Sequence, residues 1–241
     1  TVATGLIQRP AQRVQTVIVT PADLNGVDLL NIDSFDLTEQ TIIAEFGAVP
    51  PNPNANPNSS ALDAPEAIGL ERDMFVASTV GQVSMQADRL GTTNFLAFAV
   101  DPGSNGTRIL TYDGDDNDAT TLTTNLLNVD LTSGGTATGF RFRIGGEAGT
   151  TLTIQVNTGA NTSTHTVPIP TTSGASPTAT LDILFSDFLT GTPTRANFAT
   201  VNAIQFTVSG PDAADAIIDN IGTFGASTIT RNIANLTPMS I

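Results

Sequence analysis

The chain has 241 residues, 23 acidic side chains against nine basic ones, and a formal net charge of −14. It contains no Cys, no Lys and no Trp, one Tyr (Tyr112) and one His (His165). These counts exclude a disulfide, a thiolate metal site and a Cys nucleophile, and they argue against nucleic acid or an anionic membrane as partner.

The length suits one large all-β domain. Thirty-eight threonines, with many Val and Ile, favour strand over helix. Residues 1–30 read as an N-terminal arm. Within it Arg13 to Thr20 is a β-branched run between Pro10 and Pro21, the pattern of an edge strand with fixed ends. Residues 23–27 read as a turn, and the domain proper is expected from residue 31, with Ser34 to Thr38 alternating. Pro50-Pro51-Asn52-Pro53-Asn54-Ala55-Asn56-Pro57-Asn58-Ser59-Ser60 reads as low-complexity loop.

From Leu70 onward short strands recur at regular spacing. They are expected over 74–80, 82–88, 95–100, 107–112, 120–131, 139–144, 150–156, 163–169 and 178–185. Asn197 to Gly225 reads as a closing β-hairpin. Ile204, Phe206 and Val208 alternate with Gln205, Thr207 and Ser209, and Ser209-Gly210-Pro211-Asp212 supplies turn chemistry. About ten short strands separated by Gly/Pro/Asn/Asp turns describe an all-β, jelly-roll-like antiparallel β-sandwich over 31–225. A strand-like tail, 226–241, follows.

Five segments in fixed order resemble a known domain. They are Gly69-Leu70-Glu71-Arg72-Asp73-Met74-Phe75-Val76, Tyr112-Asp113-Gly114, Val129-Asp130-Leu131-Thr132-Ser133-Gly134-Gly135, Phe185-Ser186-Asp187-Phe188, and Phe198 to Gln205 closing on Ile218-Asp219-Asn220-Ile221. Together they look like the secreted β-sandwich domain found in cyanobacteria and other envelope-bearing bacteria, where it precedes the PEP-CTERM sorting signal. The sequence departs from that pattern at Ile68, where a Gly is usual, and at Leu70, which intervenes before Glu71. No Pro-Glu-Pro segment occurs. The resemblance implies an exported, matrix-associated β-sandwich and no particular chemistry. Thr1 in place of Met is likewise expected of a processed product.

Chemistry-bearing residues fall in two places. Asp113, Asp115, Asp116 and Asp118 crowd a strand end, and a turn of alternating Asp and Asn can supply the oxygens that Ca²⁺ takes. EF-hand spacing is not met, and a solvated acidic turn is the other reading. Glu71-Arg72-Asp73 places Arg72 between two acids, with Glu71 and Asp73 on one strand face and Arg72 on the other. It reads as a structural ion pair at a strand start, with Arg72 bidentate to a carboxylate from another loop. His165 lies on a Thr-rich strand with no second His or Cys to complete a zinc site. No Gly-x-Ser-x-Gly elbow, phosphate loop or paired-His motif occurs. Five Glu in all and no Trp to line a sugar subsite weigh against a glycosidase. The twelve Phe, including Phe140, Phe142 and Phe206, read mostly as core, which leaves few rings for stacking on sugars.

An apolar strand beside a sandwich is an edge hazard unless it is paired. Val14, Val17 and Val19 in the arm, and Ile229 and Ile233 in the tail, are therefore the expected assembly residues, joining copies by strand exchange into a filament. The reading is a non-enzymatic, extracellular or cell-surface structural protein that partners itself. The alternative is a glycan-binding or Ca²⁺-dependent adhesive module that partners extracellular polysaccharide.

Overall fold

The structure, a computed structural model, describes residues 27–88, 94–173 and 177–225. Its strands are β1 (Val27–Asp33), β2 (Gln40–Glu45), β3 (Asn58–Asp63), β4 (Glu71–Val80), β5 (Gln82–Ala87), β6 (Leu96–Val100) and β7 (Asn105–Tyr112). They continue with β8 (Ala137–Gly146), β9 (Thr151–Thr158), β10 (Asn161–Pro168), β11 (Ala179–Leu184), β12 (Gly191–Thr192), β13 (Ala203–Ser209) and β14 (Ala216–Gly225). The first sheet runs β11-β8-β14-β6-β5-β2, with β1 also paired to β14. The second runs β12-β10-β9-β13-β7-β4-β3. Neighbouring strands are antiparallel throughout, so the chain is a jelly-roll-like antiparallel β-sandwich. Among the described residues no helix is long and apolar enough to cross a membrane.

Period-two alternation explains the core. Ile204, Phe206 and Val208 of β13 are fully buried, as are Phe140, Phe142 and Ile144 of β8 in the opposite sheet. Phe142 and Phe206 meet edge to face across the sandwich, centroids 5.6 Å apart. Phe185 and Phe198 stack at 4.4 Å. Removing one such ring would cost about 3–5 kcal/mol. His165, half-buried on β10, lies at the margin of this interior, its ring 5.4 Å from that of Phe188. Phe185–Asp187 forms a single 3₁₀ turn after β11.

Four expectations are corrected. The stretch from Asn197 to Gly225 is not a hairpin: β13 pairs with β7 and β9, whereas β14 pairs with β8, β6 and β1. The Gly-Pro turn carries the chain from one sheet to the other. Residues 120–131 are not a strand; Thr123 N donates to Asp113 Oδ2 (2.6 Å) and Leu127 N to Asp113 O (3.0 Å), which holds them as a loop. The Pro/Asn segment runs into β3 at Asn58, because Asn side chains stand in for ladder bonds. Asn58 Nδ2 donates to Ile43 O (2.8 Å), and Asn56 exchanges two bonds with the Ser78 backbone (both 2.8 Å). Residues 34–38, expected to alternate as a strand, are instead the bend between β1 and β2. Of the expected turn at 23–27 only residue 27 is described, as the first residue of β1, which runs through residue 30. Val14, Val17, Val19, Ile229 and Ile233 lie outside the described residues.

Gly81 shows how tight the sandwich corner is. It alone separates β4 from β5, which lie in different sheets. Its φ is +65°, and an added Cβ would overlap Ser104 Oγ.

Candidate functional site

β4 carries a different charge problem on each face. On its inner side Arg72 is fully buried between the sheets. Nε and Nη2 donate to the two oxygens of Asp33, at 2.7 and 2.9 Å, in a bidentate pair. Nη2 also donates to Glu66 (2.8 Å), and Nη1 to Thr38 O (3.1 Å). Tyr112 Oη donates to Asp33 Oδ2 (2.7 Å), and the guanidinium lies 5.0 Å from the Phe35 ring centroid. Burial opposes the charge on Arg72, but Asp33 and Glu66 outweigh it and hold the group above its ordinary range. Glu66 is pulled the other way. Burial would raise its carboxyl, but hydrogen bonds from its own backbone, Arg72 and Thr38 bring it below the usual carboxylate range. Burial, then the charge of Asp33, pushes the Tyr112 phenol well up.

Glu71 and Asp73 turn to the outer side, where they are 1% and 2% exposed, and Asp113 at the end of β7 is 1% exposed. Glu71 accepts from the backbone N–H groups of Asp116 (3.1 Å) and Asn117 (3.0 and 3.1 Å), so the Asp-rich turn folds down onto β4. Gly114, φ +112°, permits that descent, since a Cβ there would come within 2.5 Å of Leu126 Cβ. Glu71, Asp73 and Asp116 each offer an oxygen within 4.8 Å of the others, and Asp63, Glu71 and Asp115 do the same. Two charges at that separation repel by on the order of 3 kcal/mol at an effective dielectric of 20. Burial, then contact with Asp113 and the charge of Glu71, raises the Asp73 carboxyl. Burial likewise raises Asp113 and, against the Asp116 and Asn117 N–H groups, Glu71. Oδ1 of Asp73 and Oδ1 of Asp113 are buried without a hydrogen-bond partner.

Beside this acid centre the outer face of the second sheet is a polar row. Register places Thr164, Gln155, Gln205, Thr111 and Asp73 side by side across β10, β9, β13, β7 and β4. Gln205 Nε2 donates to Thr111 Oγ1 (3.2 Å) and Gln155 Nε2 to Asn157 Oδ1 (3.1 Å). Asn157 Nδ2 donates to Thr162 Oγ1 (2.8 Å). Asp73, Thr111 and Gln205 floor a shallow cleft whose wall is residues 118–122. Two residues further along, on the same face, half-buried Phe75 and Ile109 stand opposite one another.

The four aspartates expected to hold a metal are not gathered at one point. Asp116 joins Glu71 and Asp73, Asp115 joins Glu71 and Asp63, and Asp113 meets Asp73. Asp118 turns away to Thr120, accepting from its N (2.9 Å) and Oγ1 (2.5 Å), and those bonds hold its carboxyl down at about 2. Arg72 makes a bidentate pair with a distant carboxylate as expected, that of Asp33 at the end of β1, with Glu66 beside it. The correction is that Glu71 and Asp73, named with it, take no part in the pair. Sequence reasoning missed Asp33, Glu66 and the row through Gln155 and Gln205. Strand alternation marks each of those strand residues as outward or inward, but only the register between strands makes the row.

No family model matches the chain, and no curated protein matches it. Solved structures similar to it include the family 11 carbohydrate-binding module of the cellulosomal cellulase Lic26A-Cel5E of Clostridium thermocellum, at 13% identity and a TM-score of 0.36, covering 79% of this chain and 96% of that one. A solution structure of CtCBM11 is similar at 13% identity and 0.36, covering 79% and 97%. TmCBM61 in complex with β-1,4-galactotriose is similar at 15% identity and 0.35, covering 63% and 88%. At those scores the sandwich fold rests on this chain's own two sheets.

Proposed function

We propose that the protein is a non-catalytic, extracellular or surface-exposed carbohydrate-binding module that holds a neutral polysaccharide along the outer face of its second sheet. The observation that carries this reading is the row Thr164, Gln155, Gln205, Thr111 and Asp73 opening into the cleft beside residues 118–122. Amides and hydroxyls both donate and accept, which matches the hydroxyls of a sugar ring. Phe75 and Ile109 add an apolar strip for its C–H face. The net charge of −14 repels uronate-bearing chains and favours neutral ones. Filament formation through a terminal arm depends on Val14, Val17, Val19, Ile229 and Ile233, which lie outside the described residues.

Affinity electrophoresis against soluble glucans, mannans and galactans, with alginate as the acidic control, tests the reading. Retardation by at least one neutral polymer is expected. Phe75→Ala and Gln205→Ala should abolish it while leaving the circular dichroism unchanged. Migration unaffected by every neutral polymer would overturn the proposal.

A further inference from the structure

We propose that Glu71, Asp73 and Asp116 form a binding site for one divalent cation, calcium by its chemistry, that clamps the 113–127 loop onto the outer face of β4. The proposal does not depend on the carbohydrate reading.

Three observations converge on it. The three carboxylates present oxygens within 4.8 Å of one another, and they come from two segments, the strand and the loop. Next, the acids have no cation of their own among the described residues. Arg72, their neighbour in sequence, is spent on Asp33 and Glu66 across the strand. The other ion pairs among the described residues join Arg141 to Asp28 and Asp182, and Arg143 to Asp219. Finally, Asp73 and Asp113 are 98–99% buried, touch one another, and each keeps an Oδ1 with no hydrogen-bond donor. A buried carboxylate oxygen without a donor is costly unless a proton or a metal completes it.

The donor set selects the ion. Only oxygens are offered, with no His or Cys, so a hard cation is indicated rather than zinc. Calcium takes six to eight oxygens in flexible geometry, and the adjoining cleft gives water access to the remaining positions. Magnesium wants a near-ideal octahedron with shorter bonds, which ligands from a strand and a loop supply poorly.

The full chain, freed of metal with EDTA and dialysed, should be titrated with CaCl₂ and with MgCl₂ by calorimetry and by thermal melting. At roughly a hundredfold excess over Kd, calcium should raise Tm by about 5–10 °C. Asp73→Asn and Asp116→Asn should each weaken binding more than tenfold. In EDTA, Asp73→Asn should melt no lower than wild type, because it removes a like charge, and this sign separates loss of a ligand from loss of fold. Asp118→Asn, outside the cluster, should keep the full response. Neither heat nor a Tm shift in wild type at about 10 mM calcium, beyond the range of weak extracellular sites, would overturn the proposal. So would a calcium response that survives in both Asp73→Asn and Asp116→Asn. An equal magnesium response at equal concentration would overturn the choice of calcium.

Discussion

The two faces of β4 solve opposite halves of one problem. Inside, Arg72 meets Asp33 and Glu66, and every charge has a partner through bonds of 2.7–2.9 Å. Outside, one residue away on either side, Glu71 and Asp73 gather further acids and, among the described residues, no base. The inner centre is closed and draws residues from both sheets: Asp33 from β1, Arg72 and Tyr112 from the other. The outer one is open-ended, met by a loop and a cleft. A strand's alternation thus separates a group that holds the fold from one free to take a ligand.

The sharpest way to break that contrast is Arg72→Met. It leaves two buried acids without a cation, and a cost of about 3–5 kcal/mol is expected in chemical denaturation, or roughly 10 °C in Tm. A loss below 1 kcal/mol would mean the inner centre does not hold the fold. Tyr112→Phe keeps the ring and removes one bond to a charged acceptor, so about 1.5–3 kcal/mol should be lost.

Glu66 adds a signature in pH. Its folded carboxyl lies below the usual range, so its contribution is present above the unfolded value and is lost as pH falls through the folded one. Glu66→Gln should cost about 1 kcal/mol at pH 7. Melting curves from pH 7 down to about pH 3 should show that difference narrowing below about pH 4. A constant offset over that span would show that ionisation of Glu66 contributes nothing. The smallest stability effect is expected outside. Gln155→Ala, within the polar row, should shift stability by no more than about 0.5 kcal/mol while weakening polysaccharide retention. If it destabilises as much as Tyr112→Phe, the row is scaffold and the contrast fails.

Much of the fold is legible in the residues. Alternation at Ile204, Phe206 and Val208 marks β13, and the opposite orientation of Arg72 against Glu71 and Asp73 follows from period two alone. What alternation leaves open is the partner. The turn at Gly210-Pro211 would serve a hairpin as well as a crossing between sheets, and only the pairings of β13 and β14 decide it. Residues 120–131 have strand-like composition, yet a single acid, Asp113, caps them as a loop by accepting through side chain and backbone. The same non-locality hides the outer site. Asp116 is 43 residues from Asp73 in sequence, and the Asp-rich turn reads as self-contained until Glu71 is seen to anchor it.

Tyr112 gives the inner centre a consequence of its own. It is the chain's single tyrosine and there is no tryptophan, so intrinsic fluorescence comes from one ring. That ring is fully buried and its hydroxyl is bonded to Asp33, an acceptor that quenches phenol emission. Opening of the corner where Arg72 joins the two sheets would free the hydroxyl to water, and a brighter tyrosine signal is the expected readout. The protein carries its own optical gauge, aimed at the joint between its sheets.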